Sequence, residues 1–292
     1  MAGEADFIAA LRGLATHPAA RGLADDCAVL RLGSETLVLT HDAMVEGVHW
    51  LPGQDPADIA WKLVATNLSD LAAKGAEPLG VLLGYALGDD DSRFLEGLHE
   101  VLRVYDVPLL GGDTTGGAGR RTFGLTALGR ATCDPVPARS GANVGDSLWL
   151  TGPVGAAMLG FEALRDGLGD VDTTAFRRPV PRLAEGRALA PLVSTIMDVS
   201  DGLLIDAARL AQASAVTLAL DLSLIPVVPA LPADRIDDAL RWGDDYELLF
   251  TLPAGTVPPV AAHCIGRALV QVDHPLLLDG NPPAGTLGYL HD

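Results

Sequence analysis

Lysine is scarce in this chain, and that scarcity sets the first limit on what the protein can bind. Lys62 and Lys74 are the only lysines among 292 residues, and 38 acidic residues outnumber 20 basic ones for a formal charge of −18. Such a surface repels nucleic acid and anionic lipid, so we expect neither a nucleic-acid partner nor a membrane partner. A phosphate-bearing ligand would need local arginines or bound metal ions. The alternative is that the acidic excess only keeps the protein in solution.

Cysteine is also rare, and its pattern excludes two classes of protein. Cys27, Cys133 and Cys264 are odd in number, far apart and without a CxxC pair, which argues against a disulfide framework and a zinc knuckle. Residues 1–7 lack a basic region followed by an apolar one, so they do not read as a signal peptide. The most apolar stretch, 78–87, is too short to span a bilayer. We therefore expect a cytoplasmic protein.

Several common motifs are missing as well. The chain contains neither GxxxxGKS/T nor GxGxxG, which excludes the P-loop and Rossmann modes of nucleotide binding. GxSxG and HExxH are absent too, so the hydrolase and zinc-protease signatures do not apply.

Segments of strand and helix character alternate along the whole chain. Strands are predicted at 36–40 and 122–128 with a helix at 55–74 between them. A break rich in proline and glycine at 132–145 precedes a strand at 147–151. We expect an α/β or α+β chain of two domains, 1–135 and 136–292. The second domain is predicted to contain helices near 155–166, 182–190 and 233–242 and strands at 216–220 and 246–252.

The helix predicted at 55–74 carries the clearest candidate ligand. Asp55 is suited to cap it, and Ile59, Leu63, Asn67 and Asp70 share one face at roughly 100° per residue. The carboxylate of Asp70 should therefore face inward, where it needs a partner. One such aspartate is ordinarily satisfied by a neighbouring helix terminus. Several of them, in a chain with so few lysines, favour a divalent cation.

Other acidic residues follow apolar segments, where ligand sites of α/β folds gather. Residues 198–204 read as strand, turn and helix, with Ser200 capping the helix and Asp198 and Asp201 placed to hold a metal beside a phosphate. Residues 111–117 follow a short strand at 107–110 and read as a glycine-rich loop that backbone could bring close to a ligand. The alternatives are an ordinary helix cap and an ordinary turn.

Seven short segments, taken in order, match one family pattern. They are 25–28 (DDCA), 40–50 (THDAMVEGVHW), 67–76 (NLSDLAAKGA), 111–115 (GGDTT), 139–142 (RSGA), 198–203 (DVSDGL) and 243–248 (GDDYEL). The set resembles the thiamine-monophosphate kinase family, in the superfamily that includes aminoimidazole ribonucleotide synthetase and selenophosphate synthetase. The match runs from about residue 22 to the C-terminus.

The resemblance implies a fold and an activity. The fold is a two-domain PurM-like architecture, in which an N-terminal domain dimerises through its sheet to give a homodimer. ATP and several Mg²⁺ ions would bind between the domains. The activity is direct transfer of the γ-phosphoryl group of ATP to thiamine monophosphate, without a phosphoenzyme.

The resemblance also implies roles for individual residues. The implied metal ligands are Asp26, Thr40, His41, Asp42, Asp70, Asp113, Asp198 and Asp201, with Asp42, Asp70, Asp113 and Asp201 central to catalysis. The implied ATP contacts are Gly112, Asp113, Arg139 and Ser200. The implied substrate contacts are His49, Glu247 and Tyr289, and Trp50 or Tyr289 could stack on a ring of the substrate.

The chain departs from the family pattern at three places. His41 replaces the usual hydroxyl residue, so a metal contact there would use the backbone carbonyl. Gly116 replaces a common arginine, for which Arg120 or Arg121 could substitute. The segment 288–292 matches only part of the usual ending. Two other functions stay open: another ATP-dependent synthetase of the superfamily, and a nucleotide- and metal-binding regulatory module without catalysis.

Overall fold

The structure, a computed structural model, describes residues 4–117 and 119–290. Residues 1–3, 118 and 291–292 lie outside it, and with them part of the segments 1–7 and 288–292 discussed above. The described chain forms two β-sheets with helices packed against them, which confirms the expected fold class. The helices are α1 (Glu4–Arg12), α2 (Pro56–Ala73), α3 (Asp91–Tyr105), α4 (Ala156–Asp166), α5 (Thr174–Arg177), α6 (Leu183–Leu189), α7 (Leu203–Ser214) and α8 (Ile236–Trp242). The strands are β1 (Ala28–Leu32), β2 (Glu35–Val45), β3 (Ala76–Ala86), β4 (Leu109–Thr115), β5 (Thr122–Ala131), β6 (Ser147–Leu150), β7 (Thr195–Asp198), β8 (Thr217–Leu220), β9 (Leu248–Leu252), β10 (His263–Leu269) and β11 (Leu276–Leu278).

The first sheet has five strands in the order β1-β2-β5-β3-β4. Neighbouring strands are antiparallel except β3 and β4, which run parallel. Helices α2 and α3 cover one face, where Val38, Val81 and Phe123 are buried with apolar side chains of both helices. Strand β4 forms one edge of the sheet and is exposed along its whole length.

Helix α2 matches the helix predicted from its capping residues and apolar face. Asp55 is its N-cap, and the Asp55 carboxylate accepts a hydrogen bond of 3.0 Å from a backbone N–H of the first turn. Ile59, Leu63 and Asn67 are buried, as their shared face requires. The helix ends just before Gly75, whose φ of 59° belongs to the left-handed region that favours glycine.

The second sheet has six strands in the order β11-β8-β10-β6-β9-β7. Its pairs are antiparallel except β11 with β8. Helix α7 packs against this sheet through buried Leu203 and Leu210. Strand β7 is fully buried and ends at Asp198, so the fold delivers that carboxylate to the sheet edge that α2 approaches.

Helix α2 contacts the second half of the chain along much of its length. The indole Nε1 of Trp61 donates to the carbonyl oxygen of Pro179 at 3.1 Å. Near its other end, a Cβ on Gly186 of α6 would lie 1.9 Å from the carbonyl oxygen of Ala72, so the two helices touch through backbone. The residues of α2 therefore occupy fixed positions relative to both sheets.

Two of the predicted segments differ from the structure. Strand β2 continues past Thr40 to Val45, so Asp42 lies within the strand and not at its end. The predicted glycine-rich loop 111–117 is largely strand, because 111–115 belongs to β4. Pairing with a neighbouring strand causes both differences: β5 pairs with β2 up to Val45, and β3 pairs with β4 up to Thr115.

Within the described residues, no helix is both long and apolar enough to cross a membrane. The cytoplasmic location and the division of the chain at residue 135 stay predictions.

Substituting Gly186 tests the close contact between α2 and α6. We expect Gly186→Ala to lower the free energy of unfolding by about 1–3 kcal/mol, because the added methyl group forces the helices apart. Urea unfolding followed by circular dichroism measures the change. Gly169→Ala is the control, since nothing lies within 4 Å of a Cβ there, and it should stay within about 0.5 kcal/mol of wild type. An unchanged midpoint for Gly186→Ala would contradict the contact.

Candidate active site

A cavity of about 660 Å³ opens where α2, β2 and the second half of the chain meet. It brings together half of the residues predicted to bind ligands, although they come from distant segments. The predicted residues that line it are Asp42, His49, Asp70, Asp198, Ser200, Asp201 and Tyr289. A second cavity of about 350 Å³ shares Asp42 with the first and is also lined by Asp26, Thr40 and His41. The larger cavity is of the size that binds small molecules and cofactors.

Three aspartates form a compact cluster beside the larger cavity. One carboxylate oxygen from each of Asp26, Asp70 and Asp198 lies within 4.8 Å of the others. Short hydrogen bonds orient two of them: the Thr40 hydroxyl donates to Asp70, and the Ser69 hydroxyl donates to Asp198 at 2.6 Å. Three segments distant in sequence therefore supply one group of oxygen atoms.

Burial and mutual repulsion raise the pKa values of most of these carboxyls. Burial raises the pKa of Asp70 well above its ordinary value, and the charges of Asp42 and Asp198 raise it further. Burial, with the charge of Asp26, also raises the pKa of Asp198 to about 7 and that of Asp42 to about 6. Ionising carboxylates this close together requires added positive charge. Because Mg²⁺ prefers oxygen ligands, the residues present fit a bound magnesium ion.

Asp26 differs from its neighbours because two cations hold it ionised. Lys74 Nζ lies 2.6 Å from its Oδ2, and Arg139 Nε donates to its Oδ1 at 2.7 Å. Burial alone would raise the pKa of Asp26, but Lys74 and Arg139 outweigh it and lower the pKa to about 2. Arg139, predicted to contact ATP, is therefore attached to a predicted metal ligand in this structure.

The two lysines are among the site residues that sequence reasoning missed. Lys74 is fully buried and also pairs with Asp25 at 2.5 Å. Lys62 is buried as well and pairs with Asp244 at 2.7 Å. Their positions in and next to a largely apolar helix were the available signal, because a buried lysine needs a carboxylate partner.

The helix that follows β7, α7, is capped differently from the prediction. The N-cap of α7 is Gly202, not Ser200, and no side chain caps the helix at that position. Instead the carboxylate of Asp206, buried in the first turn of α7, accepts hydrogen bonds of 3.1 Å from the backbone N–H groups of Ser200 and Asp201. Arg209 pairs with both Asp201 and Asp206. Asp206 and Arg209 were not predicted, and their signal was helical spacing after the motif.

The segment after α8 packs tightly on this turn. Gly243 has a φ of 96°, and a Cβ there would lie 2.3 Å from the carbonyl oxygen of Ser200. The N–H of Asp244 donates to that same oxygen at 2.8 Å, and the N–H of Tyr246 donates to the carbonyl of Val199 at 2.8 Å. The motifs at 198–203 and 243–248 thus form one unit in space.

Of the three residues predicted to contact the substrate, two line the larger cavity and one does not. His49 and Tyr289 line the larger cavity, and His49 Nδ1 accepts a hydrogen bond from the N–H of Val45 at 3.0 Å. Glu247 lines neither described cavity: its buried carboxylate accepts hydrogen bonds from Arg182 and Thr151. The substrate role of Glu247 therefore stays a prediction without geometric support.

Gly112 and Asp113 do not join the aspartate cluster within one copy of the chain. Across the sheet, Asp42 of β2 pairs with Leu125 of β5, Leu125 pairs with Leu83 of β3, and Leu83 pairs with Gly112 of β4. Three strand spacings, about 14 Å, therefore separate Asp42 from Gly112. Asp113 is the next residue and points to the opposite face, since side chains alternate along a strand. Both residues lie on the exposed edge strand β4.

Three other residues for which ligand contacts were predicted have side chains that make structural contacts. Trp50 is buried and stacks on Phe123 with ring centroids 5.3 Å apart, so it belongs to the core and not to the cavity. His41 Nδ1 lies 2.9 Å from the hydroxyl of Thr126. Arg121 donates to the Tyr85 hydroxyl at 2.7 Å and to a backbone carbonyl, which leaves it poorly placed to replace an arginine at position 116.

Two family models match consecutive parts of this chain. The model described as AIR synthase related protein, N-terminal domain, matches residues 24–131, and that described as AIR synthase related protein, C-terminal domain, matches residues 143–272. Fold and site therefore define an AIR synthase related protein.

Individual relatives show which family within this class the chain belongs to. Thiamine-monophosphate kinase of Escherichia coli strain K12 is 38% identical over 291 residues, covering 89% of this chain and 88% of that protein. Among solved structures, AaThiL complexed with AMPPCP and TMP has a TM-score of 0.90 at 26% identity, covering 99% and 97% of the two chains. Thiamine-monophosphate kinase from Stenotrophomonas maltophilia K279a has a TM-score of 0.79 at 32% identity, covering 95% and 96%. The chain belongs to the thiamine-monophosphate kinase family, as its motifs predicted.

The raised pKa values predict how stability depends on pH. At pH 5 the folded metal-free protein still holds protons on Asp42, Asp198 and Asp206, with pKa values of about 6, 7 and 6, that the unfolded chain has already released. The stabilisation is complete below the ordinary carboxyl pKa and is lost as pH rises through 6 to 7. We expect the free energy of unfolding to fall by at least about 2 kcal/mol over this range.

Urea unfolding in EDTA at pH 5, 6.5 and 8 measures this dependence. Asp198→Asn should flatten it, because one of the titrating groups is removed. Adding Mg²⁺ should raise stability most at pH 8, since metal binds the deprotonated carboxylates. Stability that rises between pH 5 and pH 8 without metal would contradict the prediction.

Proposed function

We propose that this chain transfers the γ-phosphoryl group of ATP directly to thiamine monophosphate, giving thiamine diphosphate and ADP. The observation that carries the proposal is the convergence of Asp26, Asp70 and Asp198, whose oxygens lie within 4.8 Å of one another at a cavity of about 660 Å³. The names of its relatives support the same activity. The two-domain division at residue 135 fits this arrangement, because the first part supplies Asp42 and Asp70 while the second supplies Asp198.

The chemical difficulty of the reaction is electrostatic. Two anionic phosphate groups must approach in line, and this chain carries a formal charge of −18. Bound Mg²⁺ supplies the positive charge that offsets the phosphate oxygens during phosphoryl transfer. Asp26, Asp70 and Asp198 would hold it, with Asp42 and Asp201 as further ligands at the cavity wall.

Other side chains orient the two substrates. His49 lines the larger cavity with its Nδ1 accepting a hydrogen bond from the Val45 N–H, and its ring is suited to hydrogen-bond the acceptor phosphate. Arg139 presents a planar guanidinium that suits a phosphate of ATP while it holds Asp26. Both residues therefore align reacting groups, and neither forms a covalent intermediate.

Removing one carboxylate tests the proposed site. We expect Asp42→Asn to lower kcat for thiamine diphosphate formation roughly 100-fold or more, because several kcal/mol of charge stabilisation are lost in the transition state. Chromatographic separation of thiamine diphosphate after incubation with ATP, Mg²⁺ and thiamine monophosphate gives the rate. Asp234→Asn, at an exposed position, is the matched control and should keep wild-type turnover. Full turnover by Asp42→Asn would count against the assigned site.

We also propose that the protein works as a homodimer formed through the first sheet. Large apolar side chains on β3 and β4 are exposed: Leu82 by 40%, Leu109 by 47% and Leu110 by 54%. Such a patch beside an unpaired edge strand suits a second copy of the chain. Because Asp113 points away from the cluster of its own copy, we propose that it acts in the site of the other subunit.

Mixing two inactive variants tests whether Asp113 acts across the dimer. Asp42→Asn and Asp113→Asn should each be inactive as homodimers. In a mixed dimer, one site then contains both substitutions and the other contains neither. After subunit exchange at equal amounts, about half of the dimers are mixed, so activity should recover to about a quarter of wild type. No recovery in dimers shown to be mixed by mass would place Asp113 in its own subunit's site.

A further inference from the structure

A buried carboxylate in the first turn of α2 has no role in the proposed reaction. An acidic residue at such a position ordinarily stays at the surface and interacts with the helix dipole, but Asp58 is only 2% exposed. Its Oδ2 accepts a hydrogen bond from Arg177 Nη1, and its Oδ1 accepts one from Arg178 Nε. One buried carboxylate therefore holds the guanidinium groups of two consecutive arginines.

The two arginines attach the short helix α5 to α2 and α3. Helix α5 has four residues, too few to be stable without tertiary contacts. Arg178 also donates to Glu100 of α3 at 3.0 Å, and its guanidinium carbon lies 5.1 Å from the ring centroid of Trp61. The carbonyl of the next residue, Pro179, accepts the hydrogen bond of the Trp61 indole. The end of α5 thus docks on α2 and α3 through charged and aromatic contacts.

Helix α5 carries Phe176, which lines the larger cavity. The buried Phe176 ring has its centroid 5.3 Å from that of Phe161 and 3.8 Å from Lys62 Nζ. Lys62 Nζ also donates to the carbonyl oxygen of His49 at 3.1 Å. Because the His49 ring is proposed to bind the acceptor phosphate, Phe176 belongs to the acceptor end of the cavity.

The charge of Asp58 is what lets the two arginines lie together. Residues 167–172, which join α4 to α5, are all exposed, so the position of α5 depends on the contacts of its own residues. Without that charge, the guanidinium groups of Arg177 and Arg178 would lose their shared anion and repel each other. Removing one partner of a buried ion pair is costly, because the remaining charge is left uncompensated. Loss of the carboxylate therefore displaces α5 and the ring it carries.

We propose that Asp58 is a positioning residue for the acceptor: it docks α5 and so places Phe176 in the cavity wall. The inference rests on the proposed function. The docking of α5 sets the affinity for thiamine monophosphate and leaves nucleotide binding nearly unchanged, since the residues predicted to contact ATP lie on other elements. Asp58 itself touches neither substrate.

Steady-state kinetics of Asp58→Asn and Arg178→Gln test the proposal. We expect each variant to raise KM for thiamine monophosphate about fivefold or more, while KM for ATP changes less than about twofold. Glu100→Gln is the matched control, because it removes the partner of Arg178 whose side chain is 45% exposed and leaves Asp58 in place. That variant should keep both KM values.

A double variant tests whether Asp58 acts through Phe176. Phe176→Ala should raise KM for thiamine monophosphate at least as much as Asp58→Asn does, because it removes the wall residue itself. Asp58→Asn combined with Phe176→Ala should then be no worse than Phe176→Ala alone.

Tryptophan fluorescence reports the docking of α5 without turnover. When α5 leaves α2, the Trp61 indole loses its hydrogen bond to Pro179 and the guanidinium beside its ring. The emission maximum of Asp58→Asn should therefore move to longer wavelength. Thr217→Val is a destabilised control outside the cavity, since Thr217 is buried and its hydroxyl donates to the His274 carbonyl at 2.8 Å. It should lower the melting temperature and leave the emission maximum and both KM values unchanged.

Three outcomes would overturn the proposal. One is an unchanged KM for thiamine monophosphate in Asp58→Asn, or in Arg178→Gln if Asp58→Asn does not fold. Another is an equal rise of both KM values, which would show a general loss of structure. The third is an additive effect in the double variant, since Asp58 would then act independently of Phe176. Wild-type protein that forms no thiamine diphosphate would instead contradict the proposed function, and the emission maximum of Asp58→Asn would still decide whether Asp58 docks α5.

Discussion

Repulsion between buried carboxylates is the constraint on which this site depends. Asp26, Asp70 and Asp198 approach within 4.8 Å in a setting where burial already disfavours their charge. The fold holds them there because α2 packs on both sheets and carries Asp70 between β2 and β7. Of these three aspartates only Asp26 is paired with cations, Lys74 and Arg139, so positive charge is still lacking for the other two. A site of this kind attracts divalent cations and their phosphate ligands, which explains how a strongly acidic protein can use ATP.

Local chemistry made part of this structure predictable. The cap at Asp55 and the shared face of Ile59, Leu63 and Asn67 specified α2 and its orientation. The inward direction of the Asp70 side chain followed from that orientation. The motif at 198–203 likewise predicted a strand that ends in an aspartate and a helix that begins soon afterwards. In both cases residues within one or two turns of each other decide the outcome. Such features survive in almost any tertiary setting.

Features that depend on distant partners were not predictable from the sequence. Strand β2 extends through Asp42 because β5 continues beside it, and residues 111–115 are strand because β3 lies alongside. Glu247 points away from the cavity because Arg182, from 65 residues earlier in the chain, binds its carboxylate. Each of these outcomes requires knowledge of which segments meet in space.

The burial of both lysines has a consequence for chemical modification. Their side chains are exposed by only 2% and 0%, and both ammonium groups are held by carboxylates of the site. In the folded protein, acylating reagents and lysine acetyltransferases therefore find neither ε-amine accessible. Acylation of Lys62 or Lys74 would require the chain to open around α2. Labelling at the two lysine ε-amines would thus report opening of the active site and not surface composition.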